Sequence, residues 1–327
     1  MKRNLHAGIQ LNGGLSLNIL TDDEINQIHL GTLEILDQTG IFVEDEKALD
    51  CFENGGARVN RDTKIVQIPP YLVEEAIRSA PSKVILAGQD PRHDLVLEDT
   101  RIHFTVFSEG VMINDLNTGE NRAPVKQDLV DTARIIDYLD EVDFCEKALG
   151  AHDVSQASVP LHNAEAYLTN SVKHCAFGPV NGKMLNKIVD MAAVIVGGRE
   201  NLRARPIVSF ATCPVSPLKL VTDCCEIVME AAKNDVVCNI TSMAMAGGTA
   251  PVTLAGTLVT HNAEILSAIT LSQLTKKGAP VIYGSSTTAM DLKLAAAAVG
   301  TPECALISAA VCRLAQRYLL PSYVAGG

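Results

Sequence analysis

The sequence predicts an α/β protein: a (β/α)8 barrel of the TIM type, truncated after about its seventh strand and preceded by an N-terminal helical extension. Three observations lead there. From about Arg101 onward, short apolar and β-branched runs are each followed by a loop rich in Gly, Ser or Pro and then by a helix of several turns. Strand candidates begin near His103, Asp143, Lys173, Pro206, Val236, Pro280 and Pro321, so consecutive starts lie 30 to 44 residues apart. A barrel of ~250 residues allots roughly 31 to each unit, and alternating strands and helices favour a parallel sheet with right-handed crossovers. The rival, a doubly wound open sheet, would show G-x-G-x-x-G after its first strand and an acidic residue for a ribose, and neither is present. Seven of eight units are visible and the chain stops within or just after the seventh, so an eighth strand is expected beyond Gly327.

Charged helices and polar turns dominate the first hundred or so residues, small residues and apolar strands the rest. A soft boundary therefore falls near Asp99, between a helical and β-arm region (1–99) that packs on the barrel and the incomplete barrel itself (100–327). Thr21-Asp22-Asp23-Glu24 reads as a capping box, after which Ile25, Ile28, Leu33 and Leu36 recur at helical spacing until Gly40. Two short helices, around Glu46 to Phe52 and Tyr71 to Ser79, flank a strand-like stretch from Ala57 to Ile68 with a turn at Arg61-Asp62-Thr63.

Composition excludes several classes of function. A formal charge of −11 repels nucleic-acid backbones and anionic membrane surfaces alike. The nine cysteines are odd in number and contain no C-x-x-C pair, which speaks against a disulfide framework and a zinc cluster and for a reducing compartment. None of the eight histidines stands at metal-ligand spacing from another, and no apolar run reaches the length of a membrane span. A cytoplasmic protein that binds no metal ion of its own is expected.

In a barrel the loops after the strands converge on one face, so chemistry is sought there. In Thr212-Cys213-Pro214-Val215-Ser216-Pro217-Leu218 two prolines turn Cys213 and Ser216 toward the mouth, although a cysteine at a strand end is more often a small buried residue than a thiolate. Ser242-Met243-Ala244-Met245-Ala246-Gly247-Gly248 permits close approach of an anion or flat ligand, or is a tight turn with both methionines as core filler. Tyr283-Gly284-Ser285-Ser286-Thr287-Thr288 opens into four hydroxyls and then Asp291, a density that suits a polar ligand or local capping. Glu109, after the strand candidate at His103 to Phe107, and Asp291 are the acid-base candidates. His261, beside Asn262 and Glu264, reads as a hydrogen-bonded helix-face histidine, and Cys224 and Cys225 as core residues on different helix faces.

These loop segments, together with Leu254-Ala255-Gly256-Thr257-Leu258-Val259-Thr260-His261-Asn262-Ala263-Glu264 and Leu320-Pro321-Ser322-Tyr323-Val324-Ala325-Gly326-Gly327, closely resemble the trimethylamine methyltransferase family. They fall in order and cover essentially the whole chain. The resemblance implies a barrel that delivers a methyl group from trimethylamine to the cobalt of a cognate corrinoid protein docked over its mouth, in methylamine-dependent methanogenesis or one-carbon metabolism. The corrinoid belongs to the partner, so no cofactor is held tightly by this chain, and further copies of the chain are expected in a homo-oligomer. It also implies a pyrrolysine just after Gly327, encoded by an in-frame amber codon, whose imine ring engages the amine; relatives acting on glycine betaine and other quaternary amines lack it. Every catalytic assignment within 1–327 is then secondary. For a small, partly cationic substrate aromatic faces are the usual device, yet only 4% of residues are aromatic, leaving Phe107, Tyr283 and Tyr323. Substrate- or corrinoid-facing positions are expected at these three and at Cys213, Ser216, Met243, Met245, Gly247, Gly248, Ser285, Ser286 and Thr287. Competing readings are a quaternary-amine methyltransferase, a non-catalytic truncated chain or corrinoid-protein docking module, and an unrelated barrel lyase with Glu109 or Asp291 as base.

Overall fold

The computed structural model describes residues 9–10, 19–98, 101–108 and 110–325. They divide into two compact units: one comprises Met1–Leu11, Ile85–Ala211 and Asn234–Val237, the other Asn12–Val84, Thr212–Lys233 and Cys238–Gly327. The boundary expected at Asp99 lies outside the described residues.

The second unit begins with helix α1 (Asp22–Glu34), capped as the sequence requires: Thr21 accepts from the Glu24 amide while the Glu24 carboxylate takes the Thr21 amide at 2.7 Å. Its predicted core stripe is buried, Ile25, Ile28, Leu33 and Leu36 all being under 9% exposed. The helix relaxes into a π turn at Ile35–Thr39 and stops at Gly40. There φ is +78°, and a Cβ would sit 2.5 Å from the Val66 carbonyl, so both backbone and space demand glycine. Strand β1 (Ile41–Val43), helix α2 (Glu46–Asn54), the antiparallel strands β2 (Arg58–Asn60) and β3 (Ile65–Gln67), and helix α3 (Pro70–Ser79) follow.

The first unit holds helix α4 (Lys126–Tyr138), strand β4 (Cys145–Glu146), helix α5 (Val159–Leu168), strand β5 (Cys175–Phe177), helix α6 (Gly182–Val196) and strand β6 (Val208–Thr212). The three strands pair in parallel, with Cys145 opposite Cys175 and Cys175 opposite Val208. Lys173, 1% exposed, points its ammonium at the carbonyls of Ile136, Leu139 and Val142 and so satisfies the end of α4. Here one expectation fails: the strand sought at His103 to Phe107 is not a strand. Its backbone does run beside β4, but the Phe104 amide goes to the Asp143 carboxylate and the Thr105 hydroxyl to the Phe144 carbonyl, so side chains replace a regular ladder. Arg101–Ile102 instead pairs antiparallel with Ile9–Gln10.

The chain returns to the second unit with β7 (Lys219–Leu220), which joins the small sheet beside β1, and helix α7 (Thr222–Asn234). Then come strand β8 (Val237–Ser242), helix α8 (Leu254–Thr275), strand β9 (Val281–Ser285), the hairpin β10 (Thr288–Asp291) and β11 (Ala296–Ala297), helix α9 (Pro302–Arg317), and strand β12 (Ser322–Val324). Strands β8, β9 and β12 are parallel neighbours. Six of the seven expected strand starts thus lie within two residues of an observed parallel strand.

Helix α8 organises this unit. It packs against α1, α2 and α3 on one side and β9 on the other. Being covered all round, it buries Thr257, Thr260, His261, Asn262, Glu264, Ser267, Thr270, Ser272 and Gln273. A helix polar on a buried face needs partners there, because an unsatisfied buried polar group costs about 1–3 kcal/mol. Those partners form the candidate site's scaffold. Among the described residues no helix is long and apolar enough to cross a membrane.

Candidate functional site at the ends of three parallel strands

Strand residues alternate between faces, and the bonds made by β8 and β9 show which face is which. Ser242 donates to Glu264 at 2.7 Å and Tyr283 to Asn262 at 2.6 Å, both acceptors lying on α8. Cys238, Ile240 and Ser242 therefore face the helix, together with Val281, Tyr283 and Ser285. The opposite face carries Asn239 and Ile282, paired in register, and Thr241, Gly284 and Tyr323, aligned across three strands.

Glu264 is fully buried and accepts three hydrogen bonds: from the hydroxyls of Ser216 at 2.8 Å and Ser242 at 2.7 Å, and from the Leu218 amide at 3.0 Å. It ties the loop after β6, which contains a cis Ser216–Pro217 bond, to the end of β8 and to α8. Burial raises its pKa, and the hydrogen bonds from Ser242, Leu218 and Ser216 oppose that rise.

One turn earlier, His261 gives its Nδ1 hydrogen to Thr287 Oγ1 at 3.0 Å, since that hydroxyl itself donates to the Ser242 carbonyl. The ring stands edge-on to Tyr283 with centroids 5.4 Å apart. Burial pushes its pKa down to about 3, so the imidazole is neutral. Asn262 gathers Thr32, Tyr318 and Tyr283, and Tyr318 continues to His29 and thence Glu74 at 2.7 Å. Around Asn262 each donor meets an acceptor, which fixes α8 between α1 and β9, whereas His261 Nε2 is buried with no hydrogen-bond partner among the described residues.

The predicted site residues divide accordingly. Tyr283 and Ser285, expected to face a ligand, are turned to the helix layer: Tyr283 is fully buried behind Asn262, and Ser285 receives the Thr287 amide. Thr287 serves His261, the Ser286 amide goes to the Ser242 carbonyl, and Ser216 serves Glu264. Asp291 caps its own turn by accepting the amides of Lys293 and Leu294. Cys213 and Met243, whose blander reading was buried core, are exposed, and Met245 is half-buried. The Gly247 and Gly248 turn folds back on the Met245 carbonyl; Gly247 has φ +82°, and a Cβ at Gly248 would collide with the Met290 sulfur. Tyr323 lies beside Gly284, on the face turned away from α8. Phe107 is 79% exposed in the first unit. Glu109 lies outside the described residues. Sequence reading gave no role to Glu264 and none to Asn239; the partners of Glu264 stand 22 and 48 residues away along the chain.

Gly284 lets the side chains of this face lie flat. A Cβ there would press on Asn239 Oδ1 and come within 2.6 Å of the Ile240 carbonyl and Thr241 Oγ1. Because one of these is backbone and cannot turn aside, Gly284→Ala is expected to destabilise by about 1–3 kcal/mol. A lowered urea midpoint at unchanged slope checks this, and an unchanged midpoint contradicts the packing described.

Against this geometry the sequence comparisons are decisive. The profile of the trimethylamine methyltransferase family (MTTB) matches residues 6–327. The chain belongs to that family. It is 46% identical to trimethylamine methyltransferase MttB of Desulfitobacterium hafniense, over 99% of this chain and 65% of that protein. It is 42% identical to the MttB of Methanosarcina barkeri, over 99% of this chain and 67% of that one. A glycine betaine methyltransferase of D. hafniense is more distant, at 32% identity over 95% of this chain and 64% of its own length. The chain thus spans about two-thirds of the length of the curated relatives it matches. Among solved structures, the monomethylamine methyltransferase MtmB of Methanosarcina barkeri shares the fold, with a TM-score of 0.53 at 15% identity, covering 92% of this chain and 67% of that one.

Proposed function

We propose that the protein takes one methyl group from trimethylamine and passes it to the cobalt of a separate corrinoid protein. What carries this reading is the greater likeness of the chain to trimethylamine methyltransferases than to the glycine betaine enzyme within one family. The fold in this reading is that of a (β/α)8 barrel, whose chemistry gathers at the C-terminal ends of the strands. The corrinoid, carried by the partner, supplies the methyl acceptor, and the amine departs as dimethylamine.

The part of this chain is to bind and orient. A methyl transfer needs the reacting carbon held in line with its acceptor, and rigid positioning lowers the barrier by restricting the approach in advance. Glu264 supports that rigidity by fixing the loop after β6 to β8. The exposed Cys213 and Met243, the turn at Met245, Gly247 and Gly248, and Tyr323 provide the surface offered to substrate and corrinoid.

The test uses the protein expressed from its own gene and a reduced corrinoid protein. Trimethylamine is expected to yield equal amounts of dimethylamine and methylated corrinoid, with glycine betaine giving neither. Preference for glycine betaine, or no transfer from either amine, overturns the reading.

A further inference from the structure

A cleft of about 550 Å³ opens in the second unit between α1, α3 and the end of α9, with His29, Glu74, Ile77, Arg78, Arg317 and Leu319 in its wall. Small-molecule sites typically enclose ~300–1,000 Å³. Tyr318 and Leu319 reach the cleft just before β12 begins at Ser322, so it sits at the N-terminal ends of the parallel strands. The surface assigned above to substrate and corrinoid lies at their C-terminal ends, and methyl transfer makes no use of this cleft.

Two features of its wall point to a ligand. The first is charge. Tyr318 accepts from Asn262 and so gives its own hydrogen to His29 Nδ1 at 3.0 Å, which leaves His29 Nε2 to donate to Glu74 at 2.7 Å. Burial lowers the pKa of this ring and keeps it neutral. Glu74 is thereby occupied, whereas Arg78 and Arg317 are exposed, Arg317 using one N–H on Asn26. With two arginines against one glutamate the cleft carries a net charge of +1, on a chain whose formal charge is −11. The second feature is strain. Leu319 follows α9 at φ +54°, the left-handed region where a Cβ is penalised and glycine is the usual residue. Backbone bonds alone close this turn as in a Schellman motif, Leu319 donating to the Gln316 carbonyl at 3.1 Å and Leu320 to the Ala315 carbonyl at 3.0 Å. The position nonetheless holds a leucine, 72% exposed at the edge of the cleft. A large apolar side chain kept strained and exposed gains little from packing within the chain; it gains from a ligand laid against it.

We infer that this cleft binds a small organic carboxylate with a short apolar body, its carboxylate held by Arg78 and Arg317 and its hydrocarbon part covered by Leu319 and Ile77. A guanidinium presents paired N–H donors that match the two oxygens of a carboxylate. A bare inorganic anion would leave Leu319 without a use, and an alkylammonium would meet the wrong charge. Ile77, buried in the same wall, continues the apolar surface. Behind the wall, hydrogen bonds run from His29 through Tyr318 and Asn262 to Tyr283 on β9, so the ligand rests on a fixed base.

The experiment is calorimetric titration of the protein expressed from its own gene, without corrinoid protein, with hexanoate and with hexylammonium, a cation of the same length; thermal melting is recorded alongside. Hexanoate is expected to bind and hexylammonium is not. Arg78→Gln and Arg317→Gln are each expected to weaken hexanoate about tenfold, the lower end of the range for a hydrogen bond to a charged group. Leu319→Gly separates function from packing. It should raise the melting temperature, because glycine adopts φ +54° freely, and weaken hexanoate about fivefold, the worth of covering ~40 Å² of apolar surface. No hexanoate binding at millimolar concentration, equal binding of the two ions, or binding unchanged in both arginine variants overturns the inference. So does a Leu319→Gly protein that is more stable yet binds hexanoate as the wild type does. Arg78 is exposed, so Arg78→Gln is expected to fold and decides where another variant does not. These readouts involve neither trimethylamine nor corrinoid, so their failure leaves the methyl-transfer reading untouched.

Discussion

Glu264→Ala is expected to destabilise the protein by about 3–5 kcal/mol, because three buried donors lose their acceptor and each unsatisfied buried donor costs about 1–3 kcal/mol. Three donors converge on this carboxylate, the hydroxyls of Ser216 and Ser242 and the Leu218 amide, and all lose their acceptor together. The damage should concentrate in the loop after β6, because Glu264 bonds that loop at two points. Glu264→Gln keeps one oxygen and should lose less. Denaturant unfolding gives the magnitude, and hydrogen exchange of the Leu218 amide gives the location. A loss below about 1 kcal/mol in the alanine variant would show that the carboxylate does not hold the loop.

Acid should unfold the protein through two neutral histidines. His174 lies in the first unit between the Ala87 carbonyl and the Ser209 hydroxyl, and burial pushes its pKa down to about 4. His261 lies in the second unit, and burial pushes its pKa down to about 3. Both ordinary values are 6.5. The unfolded chain therefore takes up protons that the folded chain refuses. The stability these residues contribute is complete above pH 6.5 and is lost as pH falls toward their folded values. Each pH unit in that window removes about 1.4 kcal/mol per histidine. Two units below neutrality of the unfolded rings, the pair removes on the order of 5 kcal/mol, comparable to the entire stability of many domains. Glu264 works in the opposite direction, since a raised carboxylate pKa stabilises most below the ordinary glutamate range and loses that contribution as pH rises through the folded value. His261→Asn retains a donor for Thr287 without the titration; it should be less stable at pH 8 but show a shallower fall between pH 6.5 and 4.5. An unaltered slope in that variant would remove His261 from the account.

Much of the framework was legible because its signals are local. The Thr21 to Glu24 capping box, the Ile25, Ile28, Leu33 and Leu36 stripe, and the Gly40 stop each depend on residues within a turn or two of one another. The strand starts near Asp143, Lys173, Pro206, Val236, Pro280 and Pro321 were legible for the same reason, since β-branched runs bounded by Gly, Ser or Pro announce themselves. The His103 segment misled because its apolar residues look like a strand while Asp143 intercepts the Phe104 amide from 39 residues away.

The site was harder to read than the frame. Strands β8 and β9 are buried on both faces along their whole length, so period-two alternation leaves no trace in the sequence. That is why Tyr283 and Ser285 were expected at a ligand and are found against α8, while Asn239, one of the residues actually on the opposite face, drew no notice. The four hydroxyls after β9 looked like a ligand-binding cluster, yet Thr287 serves His261 and Thr288 donates to the Ala298 carbonyl.

By itself the sequence determined the order of helices and strands, the caps and stops of the first helix, and the family, because propensity, capping and motif order are written in neighbouring residues. Only the tertiary structure decided which face each buried strand residue serves, that Glu264 clamps a distant loop, and that His261 stays neutral. Those properties depend on what lies across a strand or a helix interface, and burial makes both faces of such a strand chemically alike until the fold brings a specific donor or acceptor to one of them.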